Sequence, residues 1–279
     1  MGIVMFCSAR FDLRLSLVRL AVAAAFLTVT AQSVTASPRK EPPATAQPQV
    51  TILVAAAASL KNAYDKDLIP LFTQKHPEIA VEGTYDSSGK LQTQIEAGLE
   101  ADVFMSAAPA QMNALVGKNL VSQGSVKPLL ENRIVLIKTA GSSTPVTGFE
   151  TVTNAAIIAI GDPASVPAGQ YARDIFTNLG IWDAVLAKAS LGTNVTEVLN
   201  WVGEASADAG VVYATDAAST AKVEVIAEAP PGSLTQKVIY PVGVIAASKH
   251  QKEAQLFADF LASEEALAIF QKYGFSKSE

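Results

Sequence analysis

Serine residues stand at two places where an apolar run passes into a helical pattern, and such junctions can bind an anion. Ser59 follows the alanines of VTILVAAAAS, where we expect it at a helix N-cap, and Ser87 and Ser88 precede a helical pattern that runs to Ala97. The first backbone N–H groups of a helix have no partner within the helix, and their partial positive charges attract anions. Either serine could instead cap its own helix, which is the commonest use of serine there. The two junctions therefore predict an anion site or a pair of ordinary caps.

Two further junctions occur in the second half of the chain. Pro167 and Ala168 open a helical pattern in GDPASVPAGQYARDIF, where small side chains permit a close approach to the backbone. Thr193 or Asn194 can cap a helix that begins near Val195 in GTNVTEVLNWV. Each junction adds a helix start with free N–H groups to the candidate site.

Tyr213 ends the apolar strand pattern GVVYA, where its hydroxyl could donate a hydrogen bond to a ligand. An ordinary half-buried strand tyrosine would leave the same pattern. Four helix starts and a phenol would form a site of neutral donors, without lysine or arginine. A ligand that keeps a proton needs an acceptor and would find none there, so the site favours a fully deprotonated dianion. Molybdate, tungstate and sulfate fit that description better than phosphate.

Enzymatic functions find little support in the same residues. The chain has two histidines, His76 and His250, each beside a helix end, and it contains no G-x-S-x-G segment, so a Ser-His-Asp relay is not indicated. Ser87 and Lys90 form an S-x-x-K pair, which leaves a secreted serine hydrolase as an alternative, although S-D-N and K-T-G segments are missing. No histidine and carboxylate cluster has metal-ligand spacing. We therefore expect no catalytic residue and no cofactor.

The first 36 residues have the pattern of a secretory signal peptide. Three arginines precede the apolar run 20–29, and small residues lead to possible cleavage sites after Ala31 or Ala36, of which we favour Ala36. The run is shorter than the ~20 residues that a membrane-spanning helix needs. Residues 37–48 carry four prolines and predict a disordered spacer. We expect a periplasmic protein that does not span the membrane after cleavage.

The mature chain is predicted to be acidic and free of cysteine. Removal of residues 1–36 takes away Cys7 and leaves 18 basic and 25 acidic side chains, a formal charge near −7. Such a balance indicates no nucleic-acid partner. Disulfides, thiolate catalysis and zinc-thiolate sites are excluded as well. If the ligand is an anion, local dipoles rather than the net charge must attract it.

Short apolar runs alternate with helical patterns, which predicts an α/β fold of mostly parallel sheets flanked by helices. The apolar runs predict strands at 50–56, 79–85, 101–107, 133–138, 156–161, 210–214 and 238–248. Helical patterns occupy 60–75, 89–97, 109–116, 169–179, 195–204, 250–262 and 263–273. The helical finish suggests that the chain returns to its first lobe, so we predict lobe 1 at 49–130 and 240–279 and lobe 2 at 131–239. Folds of this kind bind small ligands in the cleft between lobes.

At these residues the chain closely resembles the periplasmic molybdate-binding proteins of ABC transporters, within the two-lobed type II solute-binding superfamily. The resemblance extends from about residue 50 to 275, and its motifs fall in family order. The motifs are AAASL (56–60), SSGKL and QIEAG (87–98), ADVFMSA (101–107), GDPASVPAGQYA (161–172), GVVYATDA (210–217), YPVGV (240–244) and IFQKYGF (269–275). Together they are far more specific than any one of them.

The resemblance implies a ligand set at five positions. Ser59 and Ser88 would each give a hydroxyl and a backbone N–H to the oxyanion, Ala168 and Val195 would give backbone N–H groups, and Tyr213 would give its hydroxyl. Main-chain donation explains how alanine and valine can be ligands. The resemblance also implies a membrane ABC permease as partner and a bound molybdate or tungstate rather than a cofactor. We expect a monomer that closes by a hinge motion, with sulfate or another oxyanion as the alternative ligand.

Four positions depart from the family pattern or from a regular helix. Gly89 and Lys90 follow the serine pair where family members often carry a further serine or threonine, and Asp86 places a carboxylate just before it. We expect Asp86 to point away from the anion, because a carboxylate within ~4–6 Å of a dianion opposes binding. Lys90 is expected to be a solvated helix residue. Pro70 should kink or shorten the first helix.

Overall fold

A computed structural model describes residues 50–279. The predicted signal peptide at 1–36 and the predicted spacer at 37–48 lie outside the described residues. Within the described part of the chain, no helix is both long and apolar enough to cross a membrane.

Strands and helices alternate through most of the described chain. The strands are β1 (Val50–Ala57), β2 (Ile79–Asp86), β3 (Val103–Met105), β4 (Lys127–Asn132), β5 (Ile134–Thr139), β6 (Ile158–Gly161), β7 (Ala189–Gly192), β8 (Ala209–Tyr213), β9 (Val223–Glu228), β10 (Val238–Val244) and β11 (Ser276–Lys277). The α-helices are α1 (Lys61–Ala63), α2 (Ile69–Lys75), α3 (Ser88–Glu96), α4 (Pro109–Gly117), α5 (Pro167–Asn178), α6 (Trp182–Leu186), α7 (Val195–Gly203), α8 (Ala214–Ala218), α9 (Gln251–Leu261) and α10 (Glu264–Lys272). Short 3₁₀ helices occupy Ala58–Leu60, Gln123–Ser125 and Phe149–Asn154.

The strands form two sheets, each flanked by helices. The first sheet has the order β11-β4-β10-β3-β1-β2, and the second has the order β7-β6-β8-β5-β9. Both sheets are mixed rather than mostly parallel: β10 pairs antiparallel with β3 and β4, and β5 pairs antiparallel with β8 and β9. The strands β5 and β10 each follow a strand of the other sheet in the chain. Parallel neighbours such as β1 and β2 are instead joined by a helical crossover within one sheet.

The chain passes between the sheets twice. Arg133 alone separates β4 from β5, and the segment between Glu228 and Val238 returns the chain from the second sheet to the first. The exact boundaries of the two lobes remain a prediction.

The parallel registers bring the ends of neighbouring strands to common edges. Ala57 at the end of β1 pairs with Asp86 at the end of β2, and Gly161 at the end of β6 pairs with Gly192 at the end of β7. The residues that follow β1 and β2 are therefore adjacent in space. The same holds for the segments that follow β6 and β7, so each sheet presents one edge at which helices begin.

An aromatic cluster ties the C-terminal helices to the first sheet. The Phe72 ring in α2 lies edge-on to Phe257 in α9, with centroids 4.9 Å apart, and Tyr64 packs against Phe270 in α10. The C-terminal helices α9 and α10 therefore pack against the helical segment that follows β1. Pro70 is the second residue of α2, which directly follows a π-helical turn at Tyr64–Leu68, and a proline that lacks an N–H should interrupt the helix there.

Candidate functional site

One cavity between the two sheets brings together all five residues that the sequence singled out. Its volume is about 10 Å³, so the surrounding elements lie close together around it. The lining residues are Ala57, Ala58, Ser59, Asp86, Ser87, Ser88, Ala107, Val166, Pro167, Ala168, Val195 and Tyr213. None of these lining side chains is a lysine, arginine or histidine.

Ser59 lies just after β1, in the 3₁₀ helix Ala58–Leu60. The prediction that it occupies the N-cap was wrong, because the strand runs on to Ala57 and that alanine is the N-cap residue. The Ser59 hydroxyl instead lies 3.0 Å from the hydroxyl of Tyr240 in β10. Its hydrogen bonding is therefore directed by another strand and not by its own helix.

Ser87 and Ser88 occupy different roles at the start of α3. Ser87 is the N-cap residue, yet its side chain makes no capping hydrogen bond, and its buried Oγ has no partner among the described residues. Ser88 is the first helical residue, fully buried, and its Oγ accepts a hydrogen bond of 2.9 Å from the Ala107 N–H. Because that bond uses the oxygen as an acceptor, the Ser88 hydroxyl proton remains available to a ligand. Sequence reasoning named Ser88 but did not foresee the orphaned hydroxyl of Ser87.

The start of α5 lies at the cavity, where Pro167 and Ala168 are among the lining residues. Pro167 is the first helical residue and has no N–H, so the first N–H group of this helix belongs to Ala168, which is fully buried. A Cβ atom on Gly169 would lie only 1.9 Å from the Gly161 carbonyl oxygen. Glycine at 169 therefore lets α5 pack against the end of β6.

The start of α7 is capped as predicted. Asn194 is the N-cap residue, and its side-chain oxygen accepts a hydrogen bond of 3.1 Å from the Glu197 N–H. This bond satisfies one N–H of the first turn and leaves Val195, the first helical residue, with its own N–H free for another acceptor. Val195 is buried and lines the cavity.

Tyr213 ends β8 and is buried, with its hydroxyl donating a long hydrogen bond of 3.4 Å to the Ala107 carbonyl. Burial raises the pKa of Tyr213 well above its ordinary value, and the nearby Tyr240, Tyr171 and Asp216 raise it further. The phenol therefore remains protonated and is a neutral donor at any physiological pH.

Asp86 is among the residues that line the cavity, and its orientation away from a bound anion stays a prediction. One carboxylate oxygen accepts hydrogen bonds from the Ser87 N–H at 2.7 Å and from the Asn194 side-chain amide at 3.3 Å. The other lies 3.6 Å from the ammonium group of Lys90. The carboxylate is tolerated beside the cavity because these partners engage its oxygens. Lys90 is thus an ion-pair partner as well as a partly exposed helix residue.

Besides the bond from Tyr213 to Ala107, three contacts join the two sides of the cavity. The Gly89 N–H donates to the Ser165 carbonyl at 2.9 Å, the Gln111 and Gln170 side chains are hydrogen-bonded at 3.1 Å, and the Asn194 side chain donates to Asp86. A Cβ atom on Gly89 would lie 2.4 Å from the Ser165 oxygen, a distance that forces the two segments apart. The glycine at this position thus permits close approach of α3 to the segment before α5.

The chemistry of the site is that of hydrogen-bond donation. Within residues 50–279, no group of three or more histidine, cysteine, aspartate or glutamate side chains is placed to hold a metal ion. The polar groups of the lining are the hydroxyls of the three serines and Tyr213, the carboxylate of Asp86 and the N–H groups at helix starts, set among alanine, valine and proline side chains. The arrangement can enclose a small acceptor-rich ligand from several directions.

The fold consists of two mixed sheets flanked by helices, with two chain crossings between them and a small cavity where they meet. This architecture defines the two-lobed, type II class of binding protein. The family of bacterial extracellular solute-binding proteins matches residues 52–276, and the chain belongs to that family. The family description agrees with the expected export of the chain.

Several proteins of known or described role are similar to this chain. A Bacillus subtilis (strain 168) protein, described as a candidate ABC transporter substrate-binding lipoprotein, is 38% identical over 82% of this chain and 87% of its own length. The molybdate-binding protein ModA of Escherichia coli (strain K12) is 35% identical over 81% of this chain and 88% of its own length. The solved periplasmic molybdate-binding protein of Azotobacter vinelandii superposes with a TM-score of 0.73 at 20% identity, covering 82% of this chain and all of its own, which supports the fold.

Proposed function

We propose that this chain is the solute-binding component of an ABC uptake system and that it binds molybdate or tungstate through neutral hydrogen-bond donors. The observation that carries the proposal is the single closed cavity that Ser59, Ser88, Ala168, Val195 and Tyr213 share. The relatives that are named molybdate-binding proteins support the choice of ligand.

The donor set accounts for the charge state of the ligand. In the proposal, three hydroxyl groups and the N–H groups of four residues point at one tetrahedral oxyanion, and each is a donor that needs no counter-charge. Asp86 adds a carboxylate at the rim, which opposes any ligand that is not strongly held by those donors. A hydrogen phosphate would bring a hydroxyl that needs an acceptor, and the oxygens of Asp86, the charged acceptor in the lining, are already engaged by Ser87, Asn194 and Lys90.

Size then separates the dianions. Mo–O and W–O bonds are longer than S–O bonds, so a tight cage fitted to the larger ions leaves some donors out of reach of sulfate. The donors cannot move much closer together around a smaller ion. The backbones of Gly89 and Ser165, on opposite sides of the cavity, already lie at hydrogen-bond distance.

Calorimetric titration of the purified mature protein with molybdate, tungstate, sulfate and phosphate tests the ligand. We expect tight binding of the first two, at least 100-fold weaker binding of sulfate, and no heat with phosphate. Sulfate is the second candidate; micromolar sulfate binding without molybdate binding would establish it and overturn the proposal.

We also propose the finer points of export and partnership. The signal peptide is cleaved after Ala36, the mature protein acts in the periplasm as a monomer, and its closed form is recognised by a membrane ABC permease. Lobe 1 comprises 49–130 and 240–279, and lobe 2 comprises 131–239. Mass spectrometry of the secreted protein tests the cleavage site, and light scattering with and without molybdate tests the monomer.

A further inference from the structure

We infer that Tyr240 and Asn132 fix the direction of the Ser59 hydroxyl, so that its proton is donated into the cavity rather than away from it. Neither residue lines the cavity, so both act through Ser59 as positioning residues. The inference rests on the proposed function, because it concerns how the site meets an oxyanion.

The orientation of the Asn132 side chain is set by the backbone. Asn132 ends β4 at the first crossing between the sheets, and its amide oxygen accepts a hydrogen bond of 2.8 Å from the Arg133 N–H. An N–H group can only donate, so the oxygen of the amide must face Arg133. Its NH₂ group then points the other way, to Thr215 Oγ1 at 2.9 Å and Tyr240 Oη at 3.2 Å. Both amide hydrogens therefore have an acceptor.

The direction passes from Asn132 to Tyr240. The asparagine NH₂ group cannot accept, so Tyr240 Oη accepts there. Ser59 Oγ, 3.0 Å away, is the other described partner of this hydroxyl and the acceptor that we infer for its hydrogen. Tyr240 is fully buried. Burial, with the nearby Asp216, raises the pKa of Tyr240 well above its ordinary value, while the hydrogen bond from Asn132 acts in the opposite sense. The phenol thus stays protonated and can serve as a donor.

The consequence falls on Ser59. A serine hydroxyl has one proton and two lone pairs, and the Tyr240 proton occupies one lone pair. The Ser59 proton is then free for a ligand in the cavity. If Ser59 instead donated to Tyr240, it would turn a lone pair towards the oxyanion and repel it.

The same arrangement occurs at the second site serine by a different route. Ser88 Oγ accepts from the Ala107 N–H at 2.9 Å, so a fixed backbone donor performs for Ser88 what Tyr240 performs for Ser59. Both serines have an acceptor site filled by the protein and a proton left over. A shared solution at two unrelated positions indicates that proton direction matters at this site.

A double-mutant cycle between Tyr240→Phe and Ser59→Ala tests the inference, with the molybdate Kd measured by calorimetry. Phenylalanine keeps the ring that packs against Phe275, with centroids 5.4 Å apart. We expect Tyr240→Phe alone to weaken binding about tenfold. This loss of affinity is smaller than that for a ligand hydrogen bond to a charged group, because Tyr240 only orients the Ser59 hydroxyl. In the Ser59→Ala background the same change is expected to have no further effect.

Tyr64→Phe is the matched control. The Tyr64 hydroxyl is also buried, but it contacts Met105 Sδ at 3.0 Å and does not approach Ser59. We expect its Kd to stay within twofold of the wild type. Equal weakening by Tyr240→Phe in the presence and absence of Ser59 would overturn the inference, as would a change below twofold. Should Tyr240→Phe fail to fold, Asn132→Ser replaces it in the same cycle with the same criteria.

A measurement without any anion separates this inference from the proposed function. The buried Tyr240 hydroxyl proton is expected as a slowly exchanging NMR signal that shifts on Ser59→Ala. If the chemical shift of this proton did not change in Ser59→Ala, the inferred hydrogen bond from Tyr240 to Ser59 would be contradicted, whichever anion the protein binds. Absence of molybdate and tungstate binding by the wild type would instead overturn the proposed function alone, and the cycle would then be run with the anion that does bind.

Discussion

The two sides of the cavity present donors of different kinds. The side of the first sheet offers the hydroxyls of Ser59 and Ser88, each held by a partner from another element. The side of the second sheet offers the helix starts at Ala168 and Val195, whose side chains cannot hydrogen-bond, and one hydroxyl, that of Tyr213 at the end of β8. Side-chain substitutions should therefore reveal the hydroxyl donors of the first side and, on the second side, only Tyr213. The contributions of Ala168 and Val195 are expected to respond only to changes of the main chain.

The largest effect is expected from a change that removes a backbone donor. Val195→Pro deletes the N–H at the first position of α7, where proline suits the helix, and Asn194 before it is extended at φ −158° and ψ 171°, as a residue before proline should be. We expect molybdate binding to weaken by about 30- to 100-fold, since a hydrogen bond to a charged group contributes about 1.5–3 kcal/mol. Titration calorimetry gives the Kd, and the melting temperature reports whether the helix survives.

Val195→Ala is the control for that experiment, because it keeps the N–H and shortens only the side chain. A Kd within about threefold of the wild type is expected. If Val195→Ala weakened binding as strongly as Val195→Pro, the main-chain account of the second side would be wrong.

A smaller effect is expected from the serine pair on the first side. Ser88→Ala removes the hydroxyl that has a free proton, and we expect about 10- to 30-fold weaker binding. Ser87→Ala is the adjacent comparison: its Oγ is buried without a partner in the described residues, so its removal should not lower the melting temperature of the free protein. Binding assays on both variants would contradict the assignment if Ser87→Ala cost more affinity than Ser88→Ala.

The smallest effect on binding is expected from substitution of a carboxyl group. The carboxyl groups of the two sides differ in their partners. Asp86 has Lys90 and Asn194 as partners, whereas Asp216 in α8 is buried, accepts from the Tyr213 N–H at 3.2 Å and has no cation beside it among the described ion pairs. Burial raises the pKa of Asp216 to about 7, and the bond from Tyr213 acts the other way.

The raised pKa has a defined effect on stability. The folded protein keeps the proton that the unfolded chain releases near pH 4, so the contribution of Asp216 to stability is full below pH 4 and is lost as pH rises to about 7. Asp216→Asn should remove this loss, by up to about 4 kcal/mol at pH 8. Thermal melts of both proteins from pH 4 to 8 measure it; curves that stay parallel would show that Asp216 titrates normally.

Much of the site could be predicted because its signals are local. A strand-to-helix junction is marked in the sequence by a change in the spacing of apolar residues. The helices at Pro167 and Val195 begin where that spacing predicted. The N-cap at Ser59 was misplaced because the alanines before it suit strand, 3₁₀ helix and α-helix alike. Four strands, β4, β7, β9 and β11, were missed because they are short or partly exposed and carry polar residues.

The remaining features depend on contacts between distant residues. Tyr240 lies 181 residues from Ser59, and Asp86 meets Asn194 across 108 residues. Nothing near Tyr240 in YPVGV distinguishes a positioning phenol from a core tyrosine. Only the pairing of β10 with β3 and β4 places that hydroxyl beside the site.

A crystal structure of the mature protein with bound molybdate, with the metal located by its anomalous scattering, tests the central claim most directly. The peak is expected inside the cavity, with oxyanion oxygens at about 2.7–3.1 Å from the hydroxyls of Ser59, Ser88 and Tyr213 and from the N–H groups of Ala168 and Val195. A second pocket of the protein is lined in part by Lys66 and Lys272. An anomalous peak beside these lysines would contradict the account.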